Sequence, residues 1–263
     1  MANFHLLIPA RLGSTRLANK ALADVLGAPL VVRVWQTATQ AGADSVTVVT
    51  DHPDIATAVE AVGGRALMTS PAHASGTDRL CEAVELLGLD DEAIVVNLQG
   101  DEPLMPVACL QQVARVLQAH PTAQLATLFD QLGSEAAWRD PDVVKVLVNN
   151  ANQALCFSRS PIPYVRGGGW PDSAAKRHVG LYAYRVSALR RWPSLPMSEI
   201  EQAESLEQWR ALSSGWQIVC DQALEPIPAG VDNADDLARV CEAFARRSDA
   251  TASVDASEMH PIR

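Results

Sequence analysis

Positive charge is scarce in this chain. Lysine and arginine number 21 against 31 aspartates and glutamates, a formal net charge of −10 over 263 residues. A footprint on a phosphate backbone needs a basic face, so the balance argues against general nucleic-acid binding. It does not exclude a small anion, which a local cluster of cations can bind against the overall sign. Long apolar runs are missing as well: none approaches the roughly 20 residues of a membrane span. The opening Met1-Ala2-Asn3-Phe4-His5 has no basic leader region. Together these absences predict a soluble, cytoplasmic protein with no membrane partner. The five cysteines (Cys81, Cys109, Cys156, Cys220, Cys241) are odd in number and widely spaced. They form no C-x-x-C and no zinc-like spacing, and read as reduced thiols. Nor does the first strand-to-helix loop carry G-x-G-x-x-G or G-x-x-x-x-G-K-[ST], which disfavours dinucleotide and P-loop readings.

What the chain does have is alternation. Short apolar runs at 4–8, 45–50 (SVTVVT), 65–69 and 93–98 (AIVVNL) read as strands. Segments of helical period lie between and after them at 29–41, 55–62, 77–87 and 107–117. Continuous apolar strands alternating with helices predict an α/β fold whose parallel sheet is covered on both faces. The second half is more mixed. Strands are expected at 143–148, 154–158, 179–184 and 216–220, with helices over 200–212 and 234–247. Residues 1–247 read as one domain, and the polar, aperiodic 248–263 as a flexible C-terminal tail. The run Gly167-Gly168-Gly169 does not join a strand to a helix and reads as a connection rather than a phosphate cradle.

Ligands of open parallel sheets bind beyond the carboxyl ends of the strands. After the first strand come Arg11, Ser14, Thr15, Arg16 and Lys20. Backbone N–H groups around Gly13-Ser14-Thr15 can form an anion-binding concavity. Arginine adds a planar fork and lysine a point charge for phosphate. A solvated loop with surface cations explains the same residues equally well. After the fourth strand comes Gln99-Gly100-Asp101-Glu102-Pro103. An aspartate there suits a hard cation such as Mg²⁺, which takes one or two carboxylates plus phosphate oxygens and water. Asp232, ahead of the last helix, is a second carboxylate of this kind, but Asp232 or Asn233 could equally cap that helix. Spacing alone does not pair Asp101 with Asp232.

Seven segments carry a resemblance. "IPARLGSTRLANKAL" resembles IPAR-x-x-STRLPGKPL, and "MTSPAHASGTDRL" resembles M-T-x-x-x-H-x-SGT-[DE]-RL. "IVVNLQGDEPLMP" is similar to VNVQGDEP-x-[IM]-P, and "CFSRSPIPYVR" to YFSR-x-x-IP-x-x-R. "RHVGLYAYR", "AESLEQWRAL" and "IPAGVDNADDL" resemble RHLGIYGYR, E-x-LEQLR-x-L and V-P-x-GVDTPEDL. All belong to the 3-deoxy-manno-octulosonate cytidylyltransferases, the CMP-KDO synthetases of Gram-negative bacteria, and they occur here in family order from residue 8 to residue 237.

The resemblance implies a nucleotide-diphospho-sugar transferase fold, a three-layer sandwich with a mixed, mainly parallel sheet. It implies a homodimer that transfers CMP from CTP to KDO with Mg²⁺, releasing pyrophosphate, for lipopolysaccharide biosynthesis. On the matching positions, Arg11, Ser14 and Lys20 are implied for the triphosphate, with Ser75, Gly76 and Thr77 beside the nucleotide. Asp101 and Asp232 are implied as metal ligands; Arg11, Lys20 and these two aspartates form the implied catalytic set. Gln99, Arg159, His178, Tyr182, Glu207 and Gln208 are implied for the sugar acid. Two other readings compete: a cytidylyltransferase for sialic acid or 8-amino-KDO, and a nucleotide sensor without catalysis. Taken without the resemblance, Glu201, Glu204 and Glu207, three apart, read as a solvated helix face. The chain departs from the pattern at Ala18-Asn19, where the family has Pro-Gly; asparagine tolerates left-handed backbone, which would keep the turn.

Overall fold

The run HLLIPA forms the first strand, β1 (His5–Ala10), buried along its length except at His5. Alternation continues as expected through α1 (Leu30–Thr39), β2 (Ser45–Thr50), α2 (Pro53–Glu60), β3 (Arg65–Met68), α3 (Gly76–Leu87), β4 (Ile94–Asn97) and α4 (Val107–Gln118). The computed structural model describes residues 3–13 and 17–258, with side chains as far as Arg246. Local chemistry sets the helix ends. Ser75 opens α3 by accepting the N–H of Asp78, and Gly88 closes it at φ 61°.

The second half contains β5 (Leu125–Gln131), α5 (Glu135–Arg139), β6 (Lys145–Val148), β7 (Ala154–Ser158), β8 (Lys176–Arg185) and α6 (Val186–Arg191). It continues through α7 (Glu199–Glu204), α8 (Gln208–Ser213), β9 (Ile218–Gln222) and α9 (Ala234–Glu258). Three features differ from the sequence reading. β5, α5 and α6 were not anticipated. The helix expected over 200–212 is two, broken where Ser205 adopts φ 51°. The last helix runs on to Glu258, through residues assigned to the tail; 259–263 lie outside the described residues.

The strands form one sheet in the order β3-β2-β1-β4-β8-β5-β9, with the β6–β7 hairpin attached through β8. The β1–β2, β2–β3, β1–β4 and β5–β9 pairs are parallel; β8 runs antiparallel between β4 and β5. This is the mixed, mainly parallel sheet expected. One face packs on α1, α2 and α4, around Ile8, Val34, Ile55 and Leu110. The other packs on α3, α6 and α8, around Leu7, Leu80, Leu189 and Ala211. Carboxyl ends of β1, β2, β4, β5 and β9 therefore point the same way, and β8 starts at that end. Among the described residues no helix is long and apolar enough to cross a membrane.

Candidate active site

A cleft of about 740 Å³ opens beyond the carboxyl ends of β1 and β4. Lys20 sits at its centre of charge. Its Nζ donates to Asp101 Oδ2 at 2.6 Å and to the Val231 carbonyl at 2.9 Å, and lies 3.6 Å from Asp232 Oδ1. Segments distant in sequence thus meet on one ammonium group. Their backbones interlock as well: the Val231 N–H donates to the Asp101 carbonyl at 2.8 Å. Two glycines make the approach possible. A Cβ on Gly100 would stand 2.8 Å from the Pro9 carbonyl, and one on Gly230 would stand 3.1 Å from that of Asp101. Lys20 itself follows Asn19, which adopts φ 53°, ψ 33°, the left-handed turn expected at that position.

The uncertainty over Asp232 has a structural answer. Asn233 caps α9, accepting the Asp236 N–H at 3.0 Å, while the Asp232 carboxylate turns to Lys20. Among the described residues, no three or more His, Cys, Asp and Glu side chains converge as a metal cage. Two carboxylates sharing one cation is what converges.

Arg11, Ser75, Gly76, Gln99 and Glu207 line the same cleft as Lys20, Asp101 and Asp232. Thr77 joins them through a 2.7 Å hydrogen bond from Oγ1 to Glu207 Oε2. Burial raises the Glu207 carboxyl above its ordinary 4.5. Ser14 lies outside the described residues.

The remaining expected residues stand off the cleft lining, on the α3–α8 side of the sheet. His178 and Tyr182 belong to a file of rings along β8 and beyond. Phe157 meets His178 edge-on at 4.9 Å between centroids; His178 lies 5.4 Å from Tyr182, and Tyr182 lies 5.7 Å from Tyr184. His178 keeps a partly exposed edge, yet protein surrounds it closely enough that desolvation pushes its pKa down to about 3. It is a neutral imidazole, with Nε2 3.1 Å from Thr127 Oγ1. Tyr182 is held as the phenol, burial raising its pKa well above 10.0. Gln208 is buried in the first turn of α8.

Arg159 is held by carbonyls. Its Nε donates to the Glu204 carbonyl at 2.7 Å and its Nη1 to the Pro141 carbonyl at 2.9 Å. The Glu204 carboxylate accepts from Ser158 Oγ (2.7 Å) and from the Arg159 N–H (2.8 Å). Beneath them the fully buried Lys145 donates to the carbonyls of Asp140 (2.8 Å) and Arg159 (2.5 Å). Desolvation lowers the Lys145 pKa from its ordinary value. The glutamate row is accordingly not a solvated face. Glu201 is buried against Arg210 at 2.6 Å, Glu204 holds the Arg159 corner, and Glu207 bonds to Thr77.

Sequence reasoning also missed the wall opposite Lys20. There Glu82 takes the imidazole of His73 and, at 2.8 Å, the Ser70 N–H. The buried Arg79 reaches Asp51 at 2.9 Å and Thr69 Oγ1 at 2.6 Å. Both His73 and Arg79 line the cleft. The segment "MTSPAHASGTDRL" contained both, but their partners are set by packing.

Comparisons agree with this architecture. The 3-deoxy-manno-octulosonate cytidylyltransferase of Polynucleobacter necessarius subsp. necessarius is 46% identical over 248 residues, covering 93% of this chain and 96% of its own. The enzyme of that name from Francisella tularensis subsp. holarctica is 43% identical, covering 93% and 99%. A solved structure of CMP:2-keto-3-deoxy-manno-octonic acid synthetase complexed with CTP is 40% identical. It superimposes with a TM-score of 0.86 over 93% of this chain and 99% of that one. The sequence model of the family described as Cytidylyltransferase matches residues 5–218. With four-fifths of its length so matched, and with the strand-end cleft that the fold provides, this chain belongs to the cytidylyltransferase family.

Proposed function

We infer that this protein transfers the cytidylyl group of CTP to the anomeric hydroxyl of 3-deoxy-D-manno-octulosonate, releasing pyrophosphate. The observation that carries the reading is the meeting of Lys20, Asp101 and Asp232 in one cleft. Around it stands a chain similar over 93% of its length to enzymes of that name. The acceptor oxygen bonds to the α-phosphorus, the bond from that phosphorus to the bridging oxygen breaks, and the hydroxyl proton leaves to solvent.

Charge neutralisation is the main task, because an anionic acid must approach an anionic triphosphate. Arg11 and Lys20 stabilise the leaving pyrophosphate. The N-terminus of α3, with its N–H groups at Gly76 and Thr77, favours a phosphate oxygen beside it. Neutral groups suit the acceptor: His178 as imidazole, Tyr182 as phenol, and the amides of Gln99 and Gln208. Arg159, already oriented by two carbonyls, carries the guanidinium for the acceptor's carboxylate.

Asp101 and Asp232 fit Mg²⁺ in this reading. A magnesium ion in nucleotide enzymes needs no protein cage, only one or two carboxylates plus phosphate oxygens. Two carboxylates already converge on a cation here. Bound there, the metal would screen the phosphates and polarise the α-phosphorus. The reading includes a homodimer working in the cytoplasm as part of lipopolysaccharide assembly.

Pyrophosphate release tests it. Release is expected with CTP, Mg²⁺ and KDO together and not when any one is left out. Turnover of N-acetylneuraminate but not KDO would overturn the acceptor assignment, and CTP binding without turnover of any acid would overturn catalysis.

A further inference from the structure

Beneath Gln99 the sheet carries a polar group without a partner. Asn97 ends β4, is 1% exposed, and its Oδ1 accepts no hydrogen bond among the described residues. Register sets it beside Leu7 of β1 and opposite Tyr182 of β8. Side chains alternate along a strand. Val95 packs on the α3–α8 side, whereas Val96 and Leu98 pack on the other. Asn97 and Gln99 therefore share the α3–α8 side. Gln99 lines the cleft, its Oε1 3.8 Å from where Gly76 would carry a Cβ. Tyr182 packs on that same side, with His178 next along the strand.

A buried amide oxygen with no donor is a net cost to the fold, and an apolar residue of similar volume would remove that cost. Tyr182, opposite Asn97, is a phenol packed beside the imidazole of His178, and the Glu207 carboxyl acts on Tyr182 from the cleft side. The partner that Asn97 Oδ1 lacks is a donor, which an O–H can supply.

We propose that Asn97 determines acceptor specificity: its Oδ1 accepts a hydrogen bond from a hydroxyl of the polyhydroxy acid bound between Gln99 and Tyr182. This rests on the acceptor reading above and adds a residue to it. In that reading the nucleotide would lie on the other side of Gln99, toward Lys20, so Asn97 would act on the acceptor alone.

The test is Asn97→Leu, with Asn97→Ser as a second variant should the first not fold. CTP affinity by calorimetry is expected to stay within about twofold, while KM for the acid rises about tenfold or more, the scale on which a site rejects a group that leaves its polar atoms unpaired. Mono-deoxy acids supply a second readout: one of them binds wild type and variant alike, and it identifies the hydroxyl. An unchanged KM for the acid overturns the proposal and makes Asn97 a strained core residue. Parallel loss of CTP affinity also overturns it, since the residue then supports the whole cleft. If wild-type protein turns over a different acid and not KDO, the acceptor reading falls. The variant assayed with that acid then still decides the role of Asn97.

Discussion

The two sides of the candidate site handle polarity in opposite ways. Around Lys20 the groups are charged, partly exposed and drawn from three segments distant in sequence: the side chains of Lys20, Asp101 and Asp232 are 18%, 32% and 49% accessible. On the α3–α8 side the polar groups stand on strands and helices, are more deeply set, and are neutral where burial decides. His178 is unprotonated, Tyr182 is the phenol, and Glu207 holds its proton more tightly than an exposed carboxyl. The difference teaches how two anions are brought together. On the proposed reading, the charge that would bind the triphosphate is kept at an open rim, where its desolvation is cheap. The acceptor side would rely on directed hydrogen bonds, which do not add repulsion.

The largest break in this comparison comes from Asp101→Asn. It removes charge from the rim without changing shape, and turnover is expected to fall by about a hundredfold to a thousandfold. Thermal melting should stay near wild type, because the amide can still accept from Lys20. Wild-type turnover in steady-state pyrophosphate assays would remove Asp101 from the mechanism.

A smaller effect is expected on the other side from Glu204→Ala. It takes away the acceptor for Ser158 and for the Arg159 N–H. Stability should drop by about 2–3 kcal/mol, as for lost hydrogen bonds to a charged group. KM for the acid should rise several-fold while CTP affinity holds. If CTP affinity fell as much as acid affinity, the two sides would not be separable.

The smallest effect concerns pH. In the fold His178 has a pKa of about 3, against 6.5 ordinarily. A depressed value means that its contribution to stability is complete above 6.5 and is lost as pH falls toward 3. Melting temperatures of wild type and His178→Gln should therefore diverge on acidification, with wild type losing more. KM for the acid should show no inflection near 6.5, because the imidazole stays neutral on both sides of that pH. Such an inflection would place a protonated ring in the working site.

Much of the fold was legible because its signals are local. The β1, β2 and β4 runs and the helical periods each lie within a dozen residues. β5 was harder: LATLFDQ is a short apolar run without alternation, and such runs do not by themselves separate strand from buried helix. Ser205 gave no warning either, since it breaks the 200–212 pattern in a left-handed conformation without glycine or proline. The site was legible only through motifs. Asp101 and Asp232 meet because the segment at Gly230-Val231 docks on the turn at Asp101, a closure that no spacing encodes. The three glutamates looked solvated because their partners, Arg210, Ser158 and Thr77, come from tertiary packing.

The docking of the Val231 segment on the turn after β4 also bears on the birth of the enzyme. Translation runs from the amino end, so the cations and the first aspartate leave the ribosome long before the second aspartate is made. A chain that stops before Val231 has all nine strands described above but neither the Val231 carbonyl nor the Asp232 carboxylate that meets Lys20.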